Sequence, residues 1–428
     1  MSTTFNNARI ELSKQIGDYW AGTTTGAGSS TTVVDTALKA KQNDWINLEA
    51  YDLITSGTYD TEERKISSLD NTSGTLTVLA HGGTIAGSVT YEVHRLASAS
   101  DKRIALVAAC REAYPYIHKQ VRDESHVSGN WLKDGSFEVW TSSTNLTYWT
   151  ETTSTVTQTT TAGLFKNGAN SAALSASAGT LAQSITNQED LKRLAGKEVT
   201  FTVQARCGTA SALRISIADG TDTTYSDYLD QITGWTEDHE PLEVTATIAD
   251  HPTSITFTIH YELTATTAYV DDARVISSYN PPIYIGELGL SKNTPRQVFV
   301  EPLDYYSGEP WVRIHNWTVD ETNGLLFLPD NVQKDYRLRI IGTGYLDFLA
   351  SGVASTLWTA TIAIDQPQLD ILIAQAIIYI YRTFSIPNFY TGDRKAYMEM
   401  MGFWDQELKK RIARAGMRLP ALTTNWGT

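Results

Sequence analysis

Cysteine is nearly absent: Cys110 and Cys207 are the only two in 428 residues. That excludes a disulfide scaffold and a cysteine-built zinc site. Charge is sparse, at 19% of residues against a usual ~25%. Positive charge is the scarcer sign, since 34 basic residues face 48 acidic ones and leave a net charge of −14. A broad phosphate-binding face needs clustered Lys and Arg, so a nucleic-acid binder is not expected. Long apolar runs are missing too. The longest, Leu369–Tyr381, is interrupted by Asp370 and Gln375 and is too short and polar to span a bilayer. The opening MSTTFNNARIELSK has no apolar core of a secretory signal, and a soluble protein made in the cytoplasm is expected. Catalytic motifs are absent as well. There is no phosphate-binding glycine loop, no dinucleotide fingerprint, no nucleophile elbow and no H-x-x-x-H pair, so no enzyme is expected.

Threonine is abundant, with 57 residues. Its β-branched side chain favours half-exposed pleated surfaces and rules out an all-helical chain. The length allows two to four domains at roughly 100–200 residues each. Residues 8–20 read as a short helix and 44–97 as strands, with Val89, Tyr91 and Val93 alternating with polar neighbours. Residues 100–121 turn helical, with Ser100 or Asp101 as N-cap and Pro115 set to kink or split the helix. Composition changes at residue 131. From there to 278 the chain consists of short Thr/Ser-rich runs between turns, the pattern of a β-sandwich, and it carries 8 basic and 18 acidic residues. Strands resume at 283–346. Two helical stripes close the chain, one over 369–384 and one over 393–416. The division is therefore 1–130, 131–278 and 279–428, with the middle segment inserted into a body made of the other two. The fold class is α+β multidomain: a helical-bundle body with β-hairpin excursions, plus an inserted all-β jelly-roll sandwich. Asp70-x-Thr72-x-Gly74-x-Leu76 is echoed by Asp320-x-Thr322-x-Gly324-x-Leu326. The echo is either a coincidence of two hairpin turns or the mark of a body built from two related halves.

The inserted segment opens with NWLKDGSFEVW (130–140) and closes with AYVDDARVIS (268–277). These two ends resemble the first and last strands of jelly-roll carbohydrate-binding modules. The resemblance implies that the two strands pair, bringing Glu138 to Asp271 and Asp272, and that a structural Ca²⁺ sits there, a hard ion suited to carboxylate and carbonyl oxygens. Pairing of these acids with Arg274, Lys133 or water is the alternative. Among the aromatic residues, Trp140, Tyr225, Tyr228 and Trp235 are the candidate glycan platform, with Trp149 and Tyr261 as further flat faces; ordinary core packing is the alternative for the set. Asp227 with Asp230, and Glu237, Asp238 and Glu240, read as solvated acidic loops rather than catalytic carboxylates.

Outside the insertion stand LVAACREAYPYIHKQV (106–121), LDILIAQAIIYIYRTF (369–384) and DRKAYMEMMGFWDQELKKRIARAG (393–416). On these helices the rest of the chain resembles the head-to-tail connector proteins of tailed bacteriophages. The resemblance implies a structural virion protein at the head–tail junction, a homo-oligomeric and dodecameric ring joining portal protein to tail or neck proteins. DNA would pass through it only as cargo. Tyr116, Ile377, Tyr381, Trp404 and Leu408 are its expected subunit-interface residues. Two other readings stand beside it: a tail-fibre or receptor-binding virion protein that grips a host surface glycan through residues 131–278, and a glycan-active enzyme carrying a binding module.

Overall fold

The computed structural model describes residues 2–46, 50–153, 155–175, 177–230, 234–235, 241–262, 266–302, 310–350, 353–354, 357–386 and 394–420. It shows an α+β multidomain fold with several separate sheets and, among the described residues, five α-helices. The chain forms two compact units, residues 1–119 with 345–419, and residues 120–344. The boundaries expected at 130 and 279 thus fall inside the second unit.

The first unit holds four helices, α1 (Phe5–Gln15), α2 (Ala99–Glu112), α4 (Gln368–Ser385) and α5 (Arg394–Ala415). They share one apolar core that includes Phe5, Leu12, Leu106, Ile371, Ile377 and Trp404. The caps explain the starts. Thr4 accepts the Asn7 N–H over α1, and Ser98 with Asp101 forms a reciprocal capping box on α2. Ser98, two residues earlier than expected, is therefore the N-cap, and Asp101 answers from the third helical position. Helix α2 stops at Glu112, before Pro115 rather than through it, because the residue before a proline disfavours the helical region. The body is not a bundle with mere hairpins. A six-stranded antiparallel sheet accompanies the helices, made of β1 (Trp20–Thr23), β2 (Thr32–Val34), β3 (Tyr51–Ile54), β4 (Glu63–Asp70), β5 (Thr75–Val78) and β6 (Thr90–His94) in the order β1-β6-β3-β4-β5-β2. It has its own core around Ile54, Ile66, Leu76 and Tyr91.

The boundary falls within β7 (Lys119–Asp123), after which the second unit enters a β-sandwich. One sheet contains β8 (Thr150–Thr152), β11 (Gly179–Ile185), β13 (Leu213–Ala218), β14 (Thr223–Tyr225) and β16 (Ile255–Tyr261), in the order β8-β11-β16-β13-β14. The other contains β9 (Thr155–Thr159), β10 (Ser171–Ser175), β12 (Glu198–Cys207), β15 (Leu242–Thr247) and β17 (Ala268–Ser277), in the order β9-β10-β17-β12-β15. Strict alternation drives both. In β12 every second residue, from Val199 to Cys207, is buried, and in β16 Ile255, Phe257, Ile259 and Tyr261 point inward. A short helix, α3 (Gln188–Leu194), covers one end through Leu191 and Leu194. The chain then leaves the sandwich for β18 (Ile283–Tyr284), β19 (Gln297–Val300), β20 (Val312–Ile314), β21 (Thr318–Asp320), β22 (Leu325–Phe327) and β23 (Leu338–Gly344). These form the sheets β7-β23-β19-β20 and β18-β22-β21, around a separate core of Val298, Leu326, Leu338 and Ile340.

Candidate saccharide-binding face

The outer face of the β8-β11-β16-β13-β14 sheet is the candidate site. Residues directly opposite each other on paired strands share a face, so the register fixes its rows. Thr150, Ala182, Thr258, Ser216 and Tyr225 form one row, and Thr152, Thr180, His260 and Arg214 the next. The floor is thus mostly small hydroxyl side chains. Its far end carries the chemistry. The Arg214 guanidinium lies over both the Tyr225 ring (4.4 Å) and the Tyr228 ring (4.9 Å). Its Nε and Nη2 each reach Glu262 Oε1 at 2.9 Å. Ser216 Oγ meets His260 Nε2 at 2.8 Å, and the His260 ring lies 5.5 Å from that of Tyr225. Burial first, then the Arg214 charge, lower the His260 pKa, so this imidazole is neutral at pH 7. Tyr225 and Tyr228 remain 46% and 44% exposed. That exposure is what separates a platform from core packing. The result is two partly exposed tyrosine rings, a charged donor, a carboxylate acceptor and a hydroxyl floor, with Arg214, Ser216, Tyr225 and His260 on strands and Tyr228 and Glu262 just beyond strand ends.

The other two platform residues lie elsewhere. Trp140 is half-buried, packs against the sandwich core and donates Nε1 to the Phe137 carbonyl at 2.7 Å. Trp235 stands 6.0 Å from the Arg206 guanidinium, and Arg206 projects from β12 in the opposite sheet. Trp149 stacks on Phe137 at 5.0 Å in the core, and Tyr261 is fully buried. The four aromatic residues therefore do not make one surface. Glu237, Asp238 and Glu240 lie outside the described residues. Arg214, Glu262, His260 and Ser216 were missed from sequence. For Arg214, Ser216 and His260 the signal was present in the alternation of RISIA (214–218) and TFTIH (256–260), whose polar members lie on one face of the sheet.

The expected acidic cluster forms around a loop. The opening segment runs along β17, with Trp131 N–H donating to the Val275 carbonyl (3.0 Å) and Ala273 N–H to that of Gly135 (2.7 Å). Glu138 Oε1 accepts the N–H groups of Ala169 (2.7 Å) and Asn170 (3.0 Å). Asp271 Oδ2 accepts those of Lys166 (2.6 Å) and Asn167 (2.9 Å). Asp272 pairs with Arg274. Burial pushes the Asp271 carboxyl up to about 8 and raises that of Glu138. These oxygens face N–H donors, the setting of a loop anchor rather than of a cation cage. Among the described residues no three His, Cys, Asp or Glu side chains group to hold a metal.

A cavity of about 420 Å³ in the second unit is lined by Asp123, His126, Asp134, Tyr148 and Glu287, among others. Its polar groups already serve one another. His126 Nδ1 lies 2.6 Å from Asp123 and its Nε2 3.0 Å from the Tyr284 carbonyl. Asp134, pushed up to about 7 by burial, accepts the Glu138 and Val139 N–H groups.

The residues expected at subunit interfaces are mostly internal. Ile377, Tyr381, Trp404 and Leu408 are at most 9% exposed within one chain, while Tyr116 is 47% exposed. The wide apolar stripe of α4 is covered by α2 and α5 of the same molecule, so it does not call for a neighbouring subunit.

No protein-family model and no curated protein matches the sequence. Among solved structures the chain is similar to the module TmCBM61 in complex with β-1,4-galactotriose, at 14% identity over 35% of this chain and 98% of that one, with a TM-score of 0.28. It is similar to the family 22 carbohydrate-binding module of Clostridium thermocellum Xyn10B, at 16% identity over 35% and 94%, TM-score 0.26. It is also similar to the enzymatically active domain of bacteriophage CBA120 tailspike protein 4, at 15% identity over 36% of this chain and 21% of that one, TM-score 0.26. These are carbohydrate-binding modules and a tailspike domain, not head-to-tail connectors. The connector expectation, with its neck ring and its portal and tail partners, is corrected accordingly. The helical pattern behind it belongs to an internal core.

Proposed function

We propose that this protein recognises glycans, as a receptor-binding component of a virion, and that the 131–278 segment is a jelly-roll module holding a saccharide without turning it over. The observation that carries the reading is the pair of exposed tyrosines flanking Arg214 on the outer face of the β8-β11-β16-β13-β14 sheet. Pyranose rings offer apolar C–H faces to aromatic side chains and hydroxyls to charged hydrogen-bonding groups, and this face supplies both. The hydroxyl floor leaves room for a chain of sugars to lie across the strands.

The test is binding of the full chain to a panel of neutral and acidic polysaccharides, followed by calorimetry on the best ligand. Tyr225→Ala and Tyr228→Ala should each weaken binding roughly tenfold, about 1.4 kcal/mol. Trp140→Ala should change the melting temperature and leave affinity alone. Binding that survives loss of both tyrosines moves the site away from this face. No binding to any saccharide removes the reading.

A further inference from the structure

The sheet β1-β6-β3-β4-β5-β2 of the first unit and the strands that flank the sandwich in the second have one topology. In the second unit the neighbours run β7-β23-β19-β20 and β21-β22-β18, which is the same order with β4 broken into β20 and β21. The register agrees residue by residue. Val33 opposes Leu76 and Val34 opposes Thr75, as Ile283 opposes Leu326 and Tyr284 opposes Leu325. Ile54 opposes Tyr91 where Val300 opposes Leu338. Asp52 opposes Arg64 where Val298 opposes Ile314. From Arg64 to Asp70 and from Ile314 to Asp320 the chain takes the same number of steps.

The turns coincide as well. Gly74 and Gly324, at φ 74° and 65°, each donate N–H at 2.9 Å to the carbonyl of the turn aspartate. Each aspartate's Oδ1 accepts a threonine N–H at 3.0 Å. Asp35 N–H reaches the Gly74 carbonyl and Ile285 N–H that of Gly324, both at 2.8 Å. Two short 3₁₀ turns follow in each case, at 36–40 and 43–45, and at 286–288 and 291–293. A helix precedes and follows each set of strands. Coincidence of two hairpins does not reproduce three strand registers and the turns between them.

We infer that residues 20–94 and 119–344 are two copies of one carrier fold, and that the loop between its first and second strands is its display position. In the first copy that loop is Thr24–Thr31, between β1 and β2. In the second, residues 124–282 occupy it, between β7 and β18. The sandwich is thus cargo set into one display loop, and the first copy offers a second, nearly empty one. The inference rests on strand order and register and is independent of what the sandwich binds.

Two exchanges in the full chain test it. In one, the sequence of Thr24–Thr31 replaces residues 124–282. In the other, residues 124–282 replace Thr24–Thr31 while the second copy receives the short loop. Each is read by thermal unfolding and near-ultraviolet circular dichroism. A cooperative transition within roughly 5 °C of the parent's carrier transition in either exchange supports equivalence of the two loops. Loss of cooperative unfolding in both overturns it. A saccharide assay on the second exchange separates this inference from the proposed function. Folding without binding leaves the carrier intact and counts against the glycan reading alone.

Discussion

His94 shows what a single buried residue sets in this protein. The imidazole is fully buried, with Nδ1 2.8 Å from Lys102 Nζ and Nε2 3.3 Å from both Arg9 and Glu92. Lys102 also reaches Asp18 at 2.8 Å. Burial, then the Lys102 charge, lowers the His94 pKa to about 4, so the ring is neutral and accepts from Lys102 while donating to Glu92. Burial alone would raise Glu92, but hydrogen bonds from His94 and Arg9 bring it down to about 2. Both folded values lie below the unfolded ones. Their stabilisation is therefore complete above the unfolded pKa and is lost as pH falls. For His94 the loss runs from about pH 6.5 to 4 and amounts to roughly 3 kcal/mol. Glu92 adds to it below about pH 4.5. Denaturant melts of His94→Gln between pH 7 and 4 should show a flatter pH dependence than the parent, since the amide accepts from Lys102 and donates to Glu92 without titrating. An unchanged slope would remove His94 as the source. No motif announced this cluster. Arg9, Glu92, His94 and Lys102 lie on three different elements, and only tertiary packing reveals that they meet.

At the scale of elements, α5 and the 160–170 loop make opposite demands. Trp404 and Leu408 were legible as one helical stripe, and the stripe is real. Its partner was not legible, because a stripe records that a face is buried but not whether its own chain or another covers it. The structure places Trp404, 6% exposed, against its own chain's core. Trp404→Ala should therefore cost about 3–5 kcal/mol of folding stability, seen in denaturant melts at any protein concentration. A loss that grows on dilution would return the residue to an interface. The loop instead depends on two carboxyls far away in sequence, Glu138 and Asp271. Glu138→Ala frees two backbone N–H groups and the Asn170 amide, a loss of about 1–3 kcal/mol. Hydrogen exchange should rise at Ala169 and Asn170. The same melts with Ca²⁺ and with chelator test the ion implied by the strand ends. A drop in melting temperature on chelation would place calcium on this loop, and no change would leave the carboxyls as anchors. The composition break at 131 and the two terminal motifs made the sandwich readable. Its candidate face was legible only in part, through Tyr225 and Tyr228, since period-two alternation shows which residues point out but not which strands lie side by side.

For the whole molecule, the division into two units matters more than the helical pattern that suggested a ring. The buried His94 cluster belongs to residues 1–119 with 345–419, and the tyrosine face belongs to residues 120–344. Saccharide should therefore act on the second unit alone, whereas acid acts on both in opposite senses: His94 weakens the first below about pH 6.5, while the raised Asp134 and Asp271 carboxyls favour the folded second unit as the pH falls. A ligand that binds only the folded state stabilises by RT ln(1 + [L]/Kd), about 2.7 kcal/mol at a hundredfold excess over Kd. That gain is confined to the unit that holds the site. Scanning calorimetry of the full chain is expected to resolve two transitions. Lowering the pH from 7 to 5 should move the first unit's transition down, and His94→Gln should blunt that shift. Saturating saccharide should move the other transition up, with Tyr225→Ala abolishing the gain. A single transition that responds to both perturbations would mean that the units unfold as one, and the acid-sensitive cluster and the binding face would then be energetically coupled.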